Sequence, residues 1–256
     1  MCTTCGCGSH TTSHDEMHRK GIEHSHSDER AEIEQEILST NRRTALLNLN
    51  YWNERKCFAL NIVSSPGSGK TTLLERTVER LKDRCPIVVI EGDQHTARDA
   101  ERIRRLGIPA IQINTQNGCH LDARMIHEVV DTLPMQPGTL VFIENVGNLV
   151  CPALFDLGEH ARAVVVSVTE GDDKPLKYPY IFAGADLCII NKIDLLPYVE
   201  SDIEQLKENV LKINPEIRFF EISASKNQGI DEWCDYLLSL LPVHDTTESL
   251  PEEGVQ

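Results

Sequence analysis

From Phe58 to Leu240, short apolar runs alternate with longer stretches in which apolar residues recur at helical spacing. Such alternation is the βαβ pattern of an α/β fold, a mostly parallel sheet flanked by helices. The apolar runs predict strands at residues 58–63, 87–90, 110–113, 140–143, 163–168, 187–190 and 219–222. The stretches between them predict helices at 71–82, 97–106, 121–133, 201–210 and 230–240. Ahead of the first strand, Ile33, Ile37, Ala45 and Leu49 recur roughly at helical spacing among charged residues, which predicts an amphipathic helix over 27–54 packed on the edge of the main domain. Residues 1–26 cannot build a core, and residues 243–256 are polar and expected to fray. The expected division is a Cys/His-rich tail (1–26), a linker helix (27–54), the α/β domain (55–242) and a flexible C-terminal tail (243–256).

The junction after the first strand carries chemistry. Ser64, Ser65, Pro66, Gly67, Ser68, Gly69, Lys70, Thr71 and Thr72 follow it and lead into a helix, which matches the phosphate-binding loop pattern except that Ser64 stands where the first glycine belongs. Gly67 and Gly69 let the backbone turn its N–H groups inward, and the positive end of the helix faces the phosphates. In that pattern Lys70 bridges β- and γ-phosphate oxygens, and the Thr71 hydroxyl ligates Mg2+. Late in the same domain, Asn191, Lys192 and Asp194 follow a strand. A carboxylate at Asp194 accepts from guanine N1–H and the N2 amine, a donor pair that adenine lacks, so the expected nucleotide is GTP. Lys192 is expected along the base plane and Asn191 between this loop and the phosphate loop. Ser223 and Ala224 are placed to present a backbone N–H to guanine O6.

Two other strand ends add carboxylates, Glu91 to Asp93 and Glu144 to Gly147. Asp93 is the candidate switch-loop group for Mg2+ or the attacking water, Glu144 replaces the more common Asp on the metal side, and Gly147 is placed to turn its N–H toward the γ-phosphate. No water-orienting Gln or arginine finger is evident, so intrinsic hydrolysis is expected to be slow and completed by a partner or by dimerisation.

Composition narrows the setting. The net charge of -15 and pI near 5.1 argue against nucleic acid as a partner, because its phosphates would be repelled by most of the surface. No apolar run reaches membrane-spanning length and the N-terminus lacks a signal-peptide core, so a cytoplasmic protein with no membrane insertion is expected. In a reducing compartment the nine cysteines then read as ligands or buried apolar groups. Cys57, Cys85, Cys188 and Cys234 lie in or beside apolar segments and are expected in the core.

The remaining cysteines cluster with histidines. Cys2, Cys5 and Cys7 stand together ahead of His10, His14, His18, His24 and His26. Soft thiolates select Ni(II), Cu or Zn(II) over Mg2+, with the α-amino group available as a fourth ligand, and spacing alone does not choose the metal. A second set comprises Cys119 and His120 in one loop and Cys151 four residues beyond Gly147. If these converge they form a sulfur and nitrogen site for Ni(II) or Zn(II), one ligand of which rides on the segment expected to sense the γ-phosphate. Two-fold pairing of such loops would gather more ligands, making metal and GTP agents of homodimer formation.

Taken together, six motifs resemble those of one family: Cys-Thr-Thr-Cys-Gly-Cys at 2–7, the phosphate loop at 64–72, Glu-Gly-Asp-Gln at 91–94, Gly-Cys-His-Leu-Asp at 118–122, Glu-Asn-Val-Gly-Asn-Leu-Val-Cys-Pro at 144–152 and Asn-Lys-Ile-Asp at 191–194. The chain is similar to the hydrogenase nickel-incorporation GTPases, the HypB family. That resemblance implies a GTP-hydrolysing metallochaperone that delivers nickel to the large subunit of NiFe hydrogenase, acting as a dimer with a small zinc-containing nickel chaperone. It implies a tight nickel site at Cys2, Cys5 and Cys7 and a weaker nickel or zinc site at Cys119, His120 and Cys151. Two other readings stand beside it. The urease accessory GTPases share the phosphate loop and the nickel duty but typically carry Cys-Pro-His, whereas Gly-Cys-His and Val-Cys-Pro lie on separate segments here. The other is a nickel store or buffer with a minor GTPase role.

Overall fold

The strand β1 (Phe58–Ser64) is at the centre of a seven-stranded parallel sheet. The others are β2 (Ile87–Asp93), β3 (Ala110–Asn114), β4 (Leu140–Glu144), β5 (Ala161–Ser167), β6 (Leu187–Asn191) and β7 (Arg218–Ile222), in the order β3-β2-β4-β1-β5-β6-β7. The computed structural model describes residues 23–93, 98–116 and 118–242. Cys2, Cys5, Cys7, His10, His14, His18 and the C-terminal tail lie outside the described residues, whereas His24 and His26 fall at the start of the long N-terminal helix.

The strands read as apolar runs because both faces of the sheet are covered. Leu60 and Ile62 of β1, Leu140 and Phe142 of β4, and Ala163 and Val165 of β5 enter one core beneath α2 (Lys70–Leu81), α3 (Arg98–Arg104) and a C-terminal helix. Their alternate neighbours enter two cores on the opposite face. Ala59, Val141 and Ile143 pack with Trp52 of the long N-terminal helix α1 (Glu23–Glu54) and with α4 (Ala123–His127). Val164 and Val166 pack with Ile181, Leu206 and Val210. The flanking helices on that side are α5 (Lys174–Lys177), α6 (Pro179–Ala183) and α7 (Ile203–Leu211); α8 (Ile230–Ser239) closes the first core, where Trp233 Nε1 donates to Thr77 Oγ1 at 3.0 Å. Each fully buried side chain of this size stabilises by roughly 1.5–3 kcal/mol. No described helix is long and apolar enough to cross a membrane.

Two elements depart from the sequence pattern. The expected helix at 121–133 is a short helix, Ala123–His127, followed by a 3-10 turn, Val130–Thr132. Asp122 caps it by accepting from Met125 N–H, and Leu121 is left in the loop because its own N–H is held by Asn145 and its side chain lies against Gly92. In α1 the buried face is Asn41, Ala45, Asn48 and Trp52, whereas Ile33 and Ile37 are 56% and 40% exposed. The apolar stripe and the packed face therefore coincide only at Ala45.

Candidate functional site

At the carboxyl end of β1 the chain turns through residues 64–72, which line a cavity with Gly147, Asp99 and Arg102. Gly69 has φ +95°, and a Cβ there would stand 2.4 Å from Asn191 Nδ2, so a glycine is required where the two loops meet. Asn191 donates to the Ser68 carbonyl at 2.9 Å and accepts from Ala224 N–H at 3.2 Å, joining the phosphate loop to the ends of β6 and β7. Lys192 Nζ donates to the Gly67 carbonyl at 2.6 Å, and the Asp194 carboxylate accepts from the Ser223 hydroxyl. Residues 191–194 and 223–224 are thus gathered beside the phosphate loop.

The Thr71 hydroxyl lies 2.7 Å from Glu144 Oε1 and 3.2 Å from Asp99 Oδ2, and Lys70 Nζ lies 3.1 Å from Glu144 Oε1. Parallel pairing of β2 and β4 sets Glu91 beside Glu144. Both are buried, and among the described residues Oε2 of each, with Ser68 Oγ, has no hydrogen-bond partner. Orphaned carboxylate oxygens beside a threonine hydroxyl fit the oxygen donors that Mg2+ prefers. Asp93 ends β2, and the wall of the cavity is completed instead by Asp99 and Arg102. Arg102 is held by Glu75 at 2.7 and 2.5 Å and by Asp99 at 3.1 Å. These two residues carry no local motif that would single them out in the sequence.

Burial, and after it the charge of Glu144, pushes the Glu91 carboxyl up to about 8. Between about 4.5 and about 8 the folded protein therefore holds a proton that the unfolded chain releases. This group's contribution is most favourable below its unfolded value and is lost as pH rises through the folded one. In Mg2+- and nucleotide-free protein, Glu91→Gln is expected to gain roughly 2–4 kcal/mol relative to wild type between pH 5 and pH 8.5. Denaturant melts of both proteins at the two pH values test this; parallel pH profiles would refute it.

The second cluster lies at the ends of β3 and β4. Ligand atoms of Cys119, His120 and Cys151 all lie within 4.8 Å of one another. His120 stacks on Phe155 with ring centroids 3.9 Å apart, and burial lowers its pKa, favouring the neutral imidazole that binds metal. Around one tetrahedral ion, bonds of ~2.3 Å to sulfur and ~2.0 Å to nitrogen would set the ligand atoms ~3.5–3.8 Å apart, so two thiolates and an imidazole at this separation would close on a thiophilic divalent ion with a contraction of up to ~1 Å. Cys57, Cys188 and Cys234 are buried in the cores, and Cys85 is partly buried against one of them.

Physical links join the clusters. Asn145, directly after Glu144, is fully buried, and its Oδ1 accepts from Leu121 N–H at 3.1 Å while its Nδ2 reaches Asn61 Oδ1 at 3.4 Å. Leu121 packs on Gly92 of β2, and Gly147 lies against Pro66 of the phosphate loop. The loop bearing Cys119 and His120 is thereby fastened to the strand ends that carry Glu91 and Glu144.

The family described as CobW/HypB/UreG, nucleotide-binding domain, matches residues 58–221. The chain is 54% identical over 206 residues to the hydrogenase maturation factor HypB of Escherichia coli K12, covering 80% of this chain and 71% of that protein. A probable HypB from Methanocaldococcus jannaschii is 40% identical over 206 residues, covering 80% and 93%. Among solved structures, HypB from Archaeoglobus fulgidus superposes with a TM-score of 0.74 at 44% identity, covering 80% of this chain and all of the other. HypB from Helicobacter pylori in complex with nickel gives 0.74 at 39% identity, covering 78% and 94%.

Proposed function

This chain belongs to the HypB family of hydrogenase maturation factors, and from that premise we propose that it is a GTP-hydrolysing nickel chaperone serving the large subunit of NiFe hydrogenase in the cytoplasm. The backbone of residues 65–72 holds the phosphates, Lys70 turns from Glu144 to the β- and γ-phosphate oxygens, and Asp194 with Ala224 selects guanine. Thr71, Glu144 and Asp93 would hold Mg2+, with Asp99 beside Thr71 in the cavity wall. When bound, Mg2+ supplies positive charge against the β- and γ-phosphates. Gly147 presents its N–H to the γ-phosphate. Turnover is slow, because Arg102, the arginine that lines the phosphate-loop cavity, is held by Glu75 and Asp99.

Nickel is the cargo. It is taken tightly by Cys2, Cys5 and Cys7 and more weakly by Cys119, His120 and Cys151, where Zn2+ competes. The observation that carries the coupling is the Asn145 bond to Leu121, at 3.1 Å, because it ties the metal loop to the strand end beside Thr71 and Lys70. The Cys119–His120 loops of two copies supply the contact for a GTP-dependent homodimer, and the small zinc-containing nickel chaperone exchanges metal with it.

Equilibrium Ni(II) titration of wild type, a Cys2/Cys5/Cys7→Ala variant and a Cys119/His120→Ala variant, each with GDP and with a non-hydrolysable GTP analogue, tests the reading. The first variant is expected to lose the tight site alone. The second is expected to lose a weaker site whose affinity differs about 10-fold between nucleotides, the scale of ordinary allosteric coupling. Equal binding by all three proteins in both states would instead make the chain a nickel buffer.

A further inference from the structure

The two segments that carry the metal ligands come from different parts of the chain, one following β3 and the other following β4. Two amides of α1 bridge them. Asn41 Nδ2 donates to the Asp156 carbonyl at 2.7 Å, and its Oδ1 accepts from Ala123 N–H at 2.8 Å. Two turns further along, Asn48 Nδ2 donates to the Ala123 carbonyl at 2.8 Å and to the Leu157 carbonyl at 2.9 Å, while its Oδ1 lies 2.9 Å from His127 Nδ1. Both backbone groups of Ala123, three residues after His120, are therefore held by one helix that also holds the residues next to Phe155. Asn48 is fully buried and Asn41 is 9% exposed, so neither amide has ready access to water in place of these partners.

The docking is close. Gly158 has φ +81°, and a Cβ there would stand 2.2 Å from the Ala45 carbonyl oxygen and 2.8 Å from Asn48 Cβ. The segment after Cys151 thus lies in backbone contact with α1 between the two asparagines. Buried polar side chains on the packed face of a helix are costly unless satisfied, and here four of the five bonds satisfying them end on Ala123, Asp156 or Leu157 and the fifth on His127 of α4.

We infer that Asn41 and Asn48 are positioning residues for the metal site, clamping the Cys119–His120 loop to the Cys151–Phe155 segment so that the site is complete only while α1 is docked. The inference rests on the metal reading of Cys119, His120 and Cys151 above. It makes α1, which connects directly to the N-terminal tail, a structural part of the second site and not only a linker. The stacking of Phe155 on His120 is the contact that the clamp holds in place.

The test uses the full chain with Cys2, Cys5 and Cys7 changed to Ser, so that only the second site is read, and compares it with Asn41→Asp and Asn48→Ala versions. Asn41→Asp keeps the acceptor for Ala123 N–H and removes the donor to Asp156, cutting the bridge with almost no change of shape. Three quantities are measured: amide hydrogen exchange over residues 118–126 and 151–158 in metal-free protein, Ni(II) affinity with its thiolate-to-nickel absorption, and GDP affinity. Expected are a rise of about 10-fold in exchange over those segments, a 10- to 100-fold loss of Ni(II) affinity with an altered absorption band, and GDP affinity within about two-fold of the parent. Exchange and nickel affinity at parental values in either folded variant would overturn the clamp. If the parent binds no nickel at these ligands while exchange still responds to Asn41→Asp, the clamp stands and the metal reading falls. Should Asn48→Ala fail to fold, Asn41→Asp decides alone.

Discussion

Lys70→Ala is expected to lower GTP turnover by about 10²–10³-fold while leaving a folded protein. Removing one preorganised charge aimed at developing phosphate charge costs on that scale. The structure adds a second consequence. Lys70 lies 3.1 Å from Glu144, whose side chain is buried next to Glu91, so the substitution deletes the cation that pairs with Glu144. The Thr71 hydroxyl still serves Glu144, which limits the damage. A further loss of stability of about 1–3 kcal/mol is expected, larger at pH 8.5 than at pH 6, because Glu91 gives up its proton near about 8 and then adds a charge beside Glu144. Phosphate release at saturating GTP, with melts at both pH values, reads the two effects separately. Turnover at the wild-type rate would remove hydrolysis from this loop altogether, whereas a pH-independent loss of stability would mean that the carboxyl pair does not interact as drawn.

What the sequence made legible, and what it hid, follows from where each residue's information lies. The strands were readable because both faces of the sheet are buried, so Leu60 and Val63 are equally apolar although they enter different cores. The phosphate loop and the Asn191 to Asp194 segment were readable as motifs of fixed spacing, and the fold brings them together through Asn191 and Lys192. Cys119, His120 and Cys151 were readable as a possible set only through their unusual residue types. Their convergence within 4.8 Å needed the fold. Asn41 and Asn48 gave no signal, since a buried asparagine breaks the apolar period that marks a packed face, and Asn145 stood within the 144–152 motif with nothing to mark its bond to Leu121. The N-terminal helix therefore reads as packing through Ile33 and Ile37, which are exposed, and not through its amides. Leu121 misled in the opposite sense: it looks like the first apolar residue of a helix, yet Asn145 and Gly92 hold it in the loop that bears Cys119 and His120. Asp99 and Arg102 resemble ordinary charged helix residues until the turn of the chain brings them to the phosphate cavity.

The base site gives the other large effect. Asp194→Asn is expected to weaken GTP by about 10²–10³-fold and to turn the preference toward xanthosine triphosphate. In the proposed base site the carboxylate of Asp194 would offer two acceptors to guanine N1–H and the N2 amine, two charge-assisted bonds worth roughly 1.5–3 kcal/mol each. An amide in its place keeps one acceptor and turns an N–H toward the N2 amine, so one bond is lost and two donors face each other. Xanthine carries a carbonyl at that position, which accepts from the amide N–H while N1–H donates to the remaining oxygen. The contacts that join this segment to the phosphate loop do not involve Asp194: Lys192 reaches the Gly67 carbonyl, and Asn191 joins Ser68 to Ala224. The phosphate loop should therefore be left as it is, and binding of inorganic pyrophosphate by the variant should match wild type. Competition of both triphosphates against a fluorescent guanine nucleotide in wild type, and against its xanthine counterpart in the variant, reads the switch. A uniform loss for both bases would mean that Asp194 serves the Ser223 hydroxyl, whose bond it accepts, and not the nucleotide. A change confined to GTP, with no gain for the xanthine nucleotide, would place the N2 amine against a different acceptor.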